Sequence, residues 1–267
     1  MIFANHAHLY PREIRDNADS AALEEFLDET GIDRAVAFAP FAHRLKEGNF
    51  AQHQNEWLYR EIKDKPRFTG FGTVDFENDP ADEVKRIVSL GFKGIKMHPQ
   101  AQEFRIDSPE AFKVYEAAQK YGLFISFHTG VHWHRLRDNR VLLFDEVAWN
   151  FPELKFSLEH IGGWHFFNEA LAVMVNNGRG ETDTVFAGWT TIRDKYGPGN
   201  WSLTDEQLET VILQTGEDRS IFGIDFPFCK KEDIIWDIER IRRLNIGEEC
   251  KEKILGSTLM KILDIKE

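Results

Sequence analysis

Short apolar runs alternate with helical periodicity along the chain, and the pattern is clearest over residues 91–130. Two runs there, 94–97 and 123–127, each stop on a histidine, His98 and His128. Between them Phe112, Tyr115 and Ala118 recur at helical spacing. Asp107 is placed to cap that helix, Glu110 completes a capping box, Pro109 fits the first turn and Gly122 the stop. Strand, helix and strand within about 35 residues make one βαβ unit of a parallel sheet.

The alternation extends to both ends. Residues 2–5 form an apolar opening that delivers His6 and His8. A helix over 20–30, with Leu23, Phe26 and Leu27 on one face and Gly31 as its stop, leads to a second strand at 35–39. A helix over 50–63, a third strand at 68–74 and a helix from Asp79-Pro80 to Leu90 follow. After the central unit come a helix over 140–150 and strand six at 154–158, which ends on Glu159 and His160. A helix over 165–176, strand seven at 184–187 and a helix over 205–214 capped by Thr204 come next. Strand eight, 220–224, lands on Asp225, and helices over 232–244, 248–255 and 258–263 finish the chain. Eight strands alternating with helices predict an α/β fold of the (β/α)8 TIM-barrel type with extra C-terminal helices. The Gly-, Thr- and Asp-rich stretch 177–200 reads as a long active-site loop. No linker, low-complexity tract or charge block divides the chain, so residues 1–267 read as one domain.

Composition narrows the function. With 42% hydrophobic residues and 22 Phe, the 267-residue chain has ample core material. A net charge of −12 argues against nucleic acid or an anionic membrane as partner. It leaves room for an anionic small substrate, because a metal or arginine can dominate the field of a cleft. Cys229 and Cys250 make neither a disulfide framework nor a CxxC motif. No apolar run is long enough for a membrane span, and the first residues lack the pattern of a signal peptide. The expectation is a cytoplasmic protein with a small-molecule substrate, compatible with a homo-oligomer. GxxxxGK[ST], GxGxxG and GxSxG are all absent, which removes support for nucleotide binding and for a serine hydrolase.

Barrel enzymes keep their chemistry at the carboxyl ends of the strands, and the pattern puts its histidines there. In His6-Ala7-His8, positions i and i+2 of a strand face the same way, so both imidazoles can reach one ion. His128, His160 and Asp225 each end a different strand. Imidazoles with a carboxylate and one open position suit Zn2+, with Mn2+ or Fe2+ as alternatives.

Six pieces in order, HAH at 6–8, GFKGIKMHP at 91–99, FHTG at 127–130, EHIGG at 159–163, GIDFP at 223–227 and KILGSTLMKILDI at 253–265, carry a family likeness. By them the chain resembles the amidohydrolase superfamily, in the branch often called amidohydrolase-2. The resemblance implies a distorted barrel and a divalent metal. It implies His6, His8, His128 and Asp225 as ligands, and His160 as a ligand or substrate contact. Two departures stand out. Asn5 and its neighbours replace an aspartate usual shortly before HxH, which bears on support of the histidines. Ser257-Thr258 replaces a common Asn-Ala pair, which bears on packing. Lys96 sits on strand four, where some amidohydrolases carry a carboxylated lysine between two metals, although this branch is similar to the mononuclear type.

The expected division of labour makes Asp225 the general base and acid and gives His160 the task of polarising a carbonyl. His98, His132 and His134 are candidates for the pocket wall, and Arg135 or Arg137 for a substrate carboxylate. Trp164 and Trp189 lie near strand ends, where core packing competes with a wall role. The leading expectation is a metal-dependent hydrolase of an amide, ester or lactone. A non-oxidative decarboxylase of an aromatic or unsaturated acid is the alternative, and a non-catalytic metal-binding barrel comes third.

Overall fold

The computed structural model describes residues 1–138, 140–178 and 183–266. Eight parallel strands close on themselves in chain order: β1 (Phe3–His8), β2 (Arg34–Phe38), β3 (Phe68–Gly72), β4 (Gly94–Met97), β5 (Phe124–His128), β6 (Phe156–Glu159), β7 (Val185–Thr190) and β8 (Ser220–Phe226). Around them run α1 (Ser20–Thr30), α2 (Ala42–Glu47), α3 (Gln54–Ile62), α4 (Pro80–Ser89), α5 (Pro109–Lys120), α6 (Leu143–Asn150), α7 (Gly163–Asn176) and α8 (Asp205–Thr215). Three helices follow β8: α9 (Lys231–Arg243), α10 (Glu248–Glu252) and α11 (Thr258–Ile262). The predicted barrel and its extra C-terminal helices are both present.

Local differences from the sequence reading have physical causes. Ser108, not Asp107, caps α5: its hydroxyl accepts from Ala111 N at 3.2 Å. Asp107 is taken by Arg105, whose guanidinium reaches it at 2.9 and 3.1 Å. With the cap one residue later, Glu110 is not at the capping-box position. The single helix expected over 50–63 starts at Gln54, where the His53 ring accepts from Asn55 N, and the short α2 precedes it. β1, β7 and β8 run two or three residues past their apolar stretches, because His6, His8, Thr190 and Asp225 are buried within strands. β7 therefore cuts through the expected loop at 177–200; positions 179–182 of that loop lie outside the described residues. No described helix is long and apolar enough to cross a membrane.

One end of the barrel interior is filled by hydrocarbon. Phe3, Val36, Phe71, Phe124, Phe186 and Ile221 pack together, and Leu259, Met260 and Leu263 close the cluster from the C-terminal segment. Gly256 lets that segment approach: a Cβ there would lie 2.9 Å from both Met1 O and Phe3 N.

Candidate metal centre and active site

At the opposite end β1 departs from a regular strand. Its register against β2 and β8 shifts around Asn5–Ala7, and His6 adopts φ 73°. Bulges of this kind re-aim side chains. The His6 and His8 rings end 5.1 Å apart, edge to face. His6 Nε2 lies 3.4 Å and His8 Nε2 3.8 Å from Asp225 Oδ1. Ligand atoms on one tetrahedral ion at ~2.1 Å sit roughly 3.4 Å apart, so this spacing fits a divalent cation. Among the described residues this is the one group of three or more such side chains with ligand atoms within 4.8 Å of each other.

His128 stands outside that tight group, but its proton position readies it as a donor. His160 Nδ1 donates to the Thr190 carbonyl at 2.7 Å, which leaves Nε2 of that neutral ring as an acceptor. His128 Nδ1 lies 3.2 Å from His160 Nε2 and so carries the proton between them. His128 Nε2 is left as a bare lone pair, buried and without a partner. An orphaned lone pair of this kind is what a cation would satisfy. His98 stacks flat on His128, with ring centroids 3.8 Å apart, and its Nδ1 accepts from Ala101 N at 3.3 Å.

Glu159, which carried no role in the sequence reading, supports the group from below. Its fully buried carboxylate accepts from Asn5 Nδ2 at 2.8 Å, Ser126 Oγ at 3.1 Å and Thr190 Oγ1 at 2.6 Å, and from Ser157 Oγ. Oε2 also lies 3.2 Å from His6 Nδ1, off the line of a well-formed hydrogen bond. This carboxylate favours the proton on Nδ1 and turns the Nε2 lone pair of His6 toward Asp225. Gly188 makes room for it: a Cβ there would meet the Glu159 carboxylate at 2.4 Å. Asn5, which stands close to the position of the family's usual aspartate, thus serves the same support. The readable signals were the polar residues in otherwise apolar strands (Asn5, Ser126, Ser157) and the lone glycine in β7.

Burial pushes the pKa values of His6, His8, His98 and His128 well below the usual imidazole value and that of His160 down to about 4, with the Lys96 ammonium adding to the effect. Neutral imidazoles are the ligand form. Burial raises Asp225 to about 6, against the pull of Lys96 and the Thr191 hydroxyl. Lys96 is itself lowered to about 8 by burial, opposed by Glu159 and Asp225. Its Nζ lies 3.2 Å from His6 Nε2, so a cation and this ammonium compete for the same lone pair.

A cleft of about 470 Å3 opens beside the centre, lined in part by Phe41, His43, Phe76, Gln102, His132 and His134. Phe41 touches both His8 and His98, and His132 abuts His98 at 4.4 Å. The two loop histidines line this cleft. Arg135 is exposed and absent from that lining, and Arg137 lines a separate, smaller cavity with Arg105 and Arg140. Trp189 is buried in the core and Trp164 is half exposed. The aromatic that covers the centre is Trp201, stacked on His160 at 5.2 Å and held by its indole N–H on Val131 O at 3.2 Å. It stands far from any strand in sequence, in the loop before α8, so periodicity could not single it out.

A parallel barrel that gathers buried imidazoles and a carboxylate at one mouth defines a class of metal-binding barrel enzymes. The chain belongs to the amidohydrolase family, whose model matches residues 6–265. It is 23% identical over 261 residues to 2-amino-3-carboxymuconate-6-semialdehyde decarboxylase of Dictyostelium discoideum, covering 86% of this chain and 70% of that one. Among solved structures it superposes on 5-carboxyvanillate decarboxylase from Novosphingobium aromaticivorans with bound manganese, with TM-score 0.73, 17% identity and coverage of 99% and 97%. It also superposes on a putative 2-pyrone-4,6-dicarboxylic acid hydrolase from Pseudomonas putida, with TM-score 0.71, 15% identity and coverage of 100% and 98%. At these identities the structural likenesses establish the barrel.

Proposed function

We propose that this protein is a metal-dependent, non-oxidative decarboxylase of an aromatic or unsaturated carboxylic acid. The observation that carries this reading is the buried His6–His8–Asp225 group, set in a chain that aligns over 86% of its length with a decarboxylase. It reverses the order expected from sequence, where hydrolysis came first.

His6 Nε2, His8 Nε2 and Asp225 Oδ1 would hold the cation, with His128 Nε2 as a further donor. When bound, a divalent cation would supply positive charge to an acidic substrate at the mouth. The donor set accepts Zn2+ or Mn2+. Trp201 stacks over His160 and His98 over His128, so aromatic rings close in around the centre. His160, neutral and tethered to Thr190 O, offers Nε2 only as an acceptor and so holds the His128 tautomer. Asp225 is the proton-transfer group. It would relay a proton from solvent to the carbon that bears the carboxylate; the bond to the carboxylate then breaks, its electron pair returns to the conjugated system, CO2 leaves, and Asp225 is again the anion it was before the relay. Burial of the mouth away from bulk water favours loss of charge from the carboxylate as neutral CO2.

The test is a paired substrate panel on protein stripped and reloaded with Zn2+ or Mn2+, beside a His6→Ala/His8→Ala double variant. Hydroxybenzoates and unsaturated dicarboxylates should release one CO2 per acid consumed, only with metal, and the variant should bind none. Turnover of lactones without CO2 would replace this reading with the hydrolase.

A further inference from the structure

We propose that Thr191 is a positioning residue that reserves one oxygen of Asp225 for the cation. This inference rests on the metal-centre part of the function proposed above. The Thr191 hydroxyl lies 3.1 Å from Asp225 Oδ2, the oxygen turned away from His6 and His8. A threonine hydroxyl has one proton, and a second partner, Cys229 Sγ, sits 3.5 Å away on the other side. Which of them receives the proton is set from outside.

Arg193 supplies the direction. Its guanidinium is held by Asp237 on α9, with Nη2 and Nε at 2.6 and 3.1 Å from one carboxylate oxygen. Its Nη1 and Nη2 also point at Cys229 Sγ, at 3.6 and 3.5 Å. A guanidinium only donates, so the sulfur accepts from Arg193 and turns its own proton toward Thr191. Burial pushes the Cys229 thiol up to about 11, so that proton stays in place. Thr191 accepts from the thiol and donates to Asp225 Oδ2. The chain Arg193, Cys229, Thr191, Asp225 thus has a single sense, and it ends by engaging Oδ2 while Oδ1 faces the two Nε2 atoms.

The backbone agrees with this placement. Thr191 has φ 55°, a conformation that a β-branched residue rarely adopts, and Asp225 has φ 50°. Both departures fall on the two residues that the hydroxyl joins, where β7 and β8 end at the barrel mouth.

The experiment measures the apparent dissociation constant for Mn2+, by chelator competition, on stripped wild type, Thr191→Val, Thr191→Ser and Cys229→Ala. Valine is isosteric with threonine and keeps the branched Cβ, so it removes the hydroxyl alone. Thr191→Val should weaken Mn2+ binding by about 10-fold or more, in the range of lost ligand-supporting hydrogen bonds. Thr191→Ser should restore wild-type affinity, and Cys229→Ala should give a smaller drop than Thr191→Val. The electron paramagnetic resonance signal of bound Mn2+ should change in Thr191→Val and not in Thr191→Ser. Equal affinity in wild type and Thr191→Val, or a serine variant as weak as the valine one, overturns the positioning role. Wild type that takes up neither Mn2+ nor, in the same competition assay, Zn2+ overturns the proposed function itself.

Discussion

The two ends of the barrel interior are built from opposite materials. At one end Phe3, Phe71, Phe124 and Phe186 meet Leu259 and Met260 in an apolar cluster. At the other, His6, His8, His98, His128, His160, Lys96, Glu159 and Asp225 are all buried, and His6, His160, Thr191 and Asp225 adopt positive φ. Phe38 marks the boundary, stacked on Phe71 on one side and edge-on to His6 and His8 on the other. One end contributes stability by excluding water from hydrocarbon. The other holds desolvated polar groups and strained backbone, which cost free energy until something binds there. The stability of the fold and the readiness of the site are therefore separable.

Four experiments sharpen that contrast. Phe124→Ala, at the apolar end, should lower the unfolding free energy by about 3–5 kcal/mol. Metal affinity of the folded variant should stay at the wild-type level; a parallel loss of metal would show the two ends to be coupled. Glu159→Gln, at the polar end, should weaken metal binding by about 10- to 100-fold, since an amide nitrogen would face donors that now share a carboxylate. Its urea midpoint with metal stripped is the companion measurement, and it should move less than that of Phe124→Ala.

The pH dependence of the metal-free protein should carry the signature of the polar end. Five buried imidazoles have folded pKa values below 6.5, that of His160 being about 4. Between those values and 6.5 the unfolded chain binds more protons, so stability is present above pH 6.5 and is lost as the pH falls toward 4. Asp225, raised to about 6, acts in the opposite sense between its usual value and 6, because there the folded state holds the extra proton. Five groups outweigh one. The urea midpoint should therefore fall from pH 7 to pH 5, with a slope of up to about 1.4 kcal/mol per pH unit for each net proton. A flat profile would mean that the imidazoles titrate as though exposed.

The smallest effect is expected at the rim. Trp201→Ala removes a stack on His160 worth about 0.5–1.5 kcal/mol and should raise KM several-fold with little change in metal content. A loss of metal instead would make the indole part of the support of His160 rather than a wall of the cleft.

Much of this was readable along the chain. Apolar runs broken at even spacing announced eight strands, and four of them stopped on residues of the site: His98, His128, Glu159 and Asp225. The same rule ended β1, β7 and β8 too early, because it treats a polar residue as leaving the sheet, whereas here the polar residues stay in the strand and are buried. Arg135 shows a converse case. Its position one residue after His134 suggested a substrate contact, yet it lies exposed outside the cleft while its neighbour lines it.

The barrel and the inventory of donor groups are legible along the chain, because side-chain period and strand length are local properties. Which groups support which depends on how the folded chain brings them together. The Glu159 carboxylate binds Asn5, Ser126, Ser157 and Thr190 across four strands, Trp201 lands on His160, and the sense of the hydrogen bonds from Arg193 to Asp225 passes through Cys229. Apart from the Ser157–Glu159 pair, these are contacts between residues far apart in sequence, fixed by closure of the sheet and by burial, and no period along the chain encodes them.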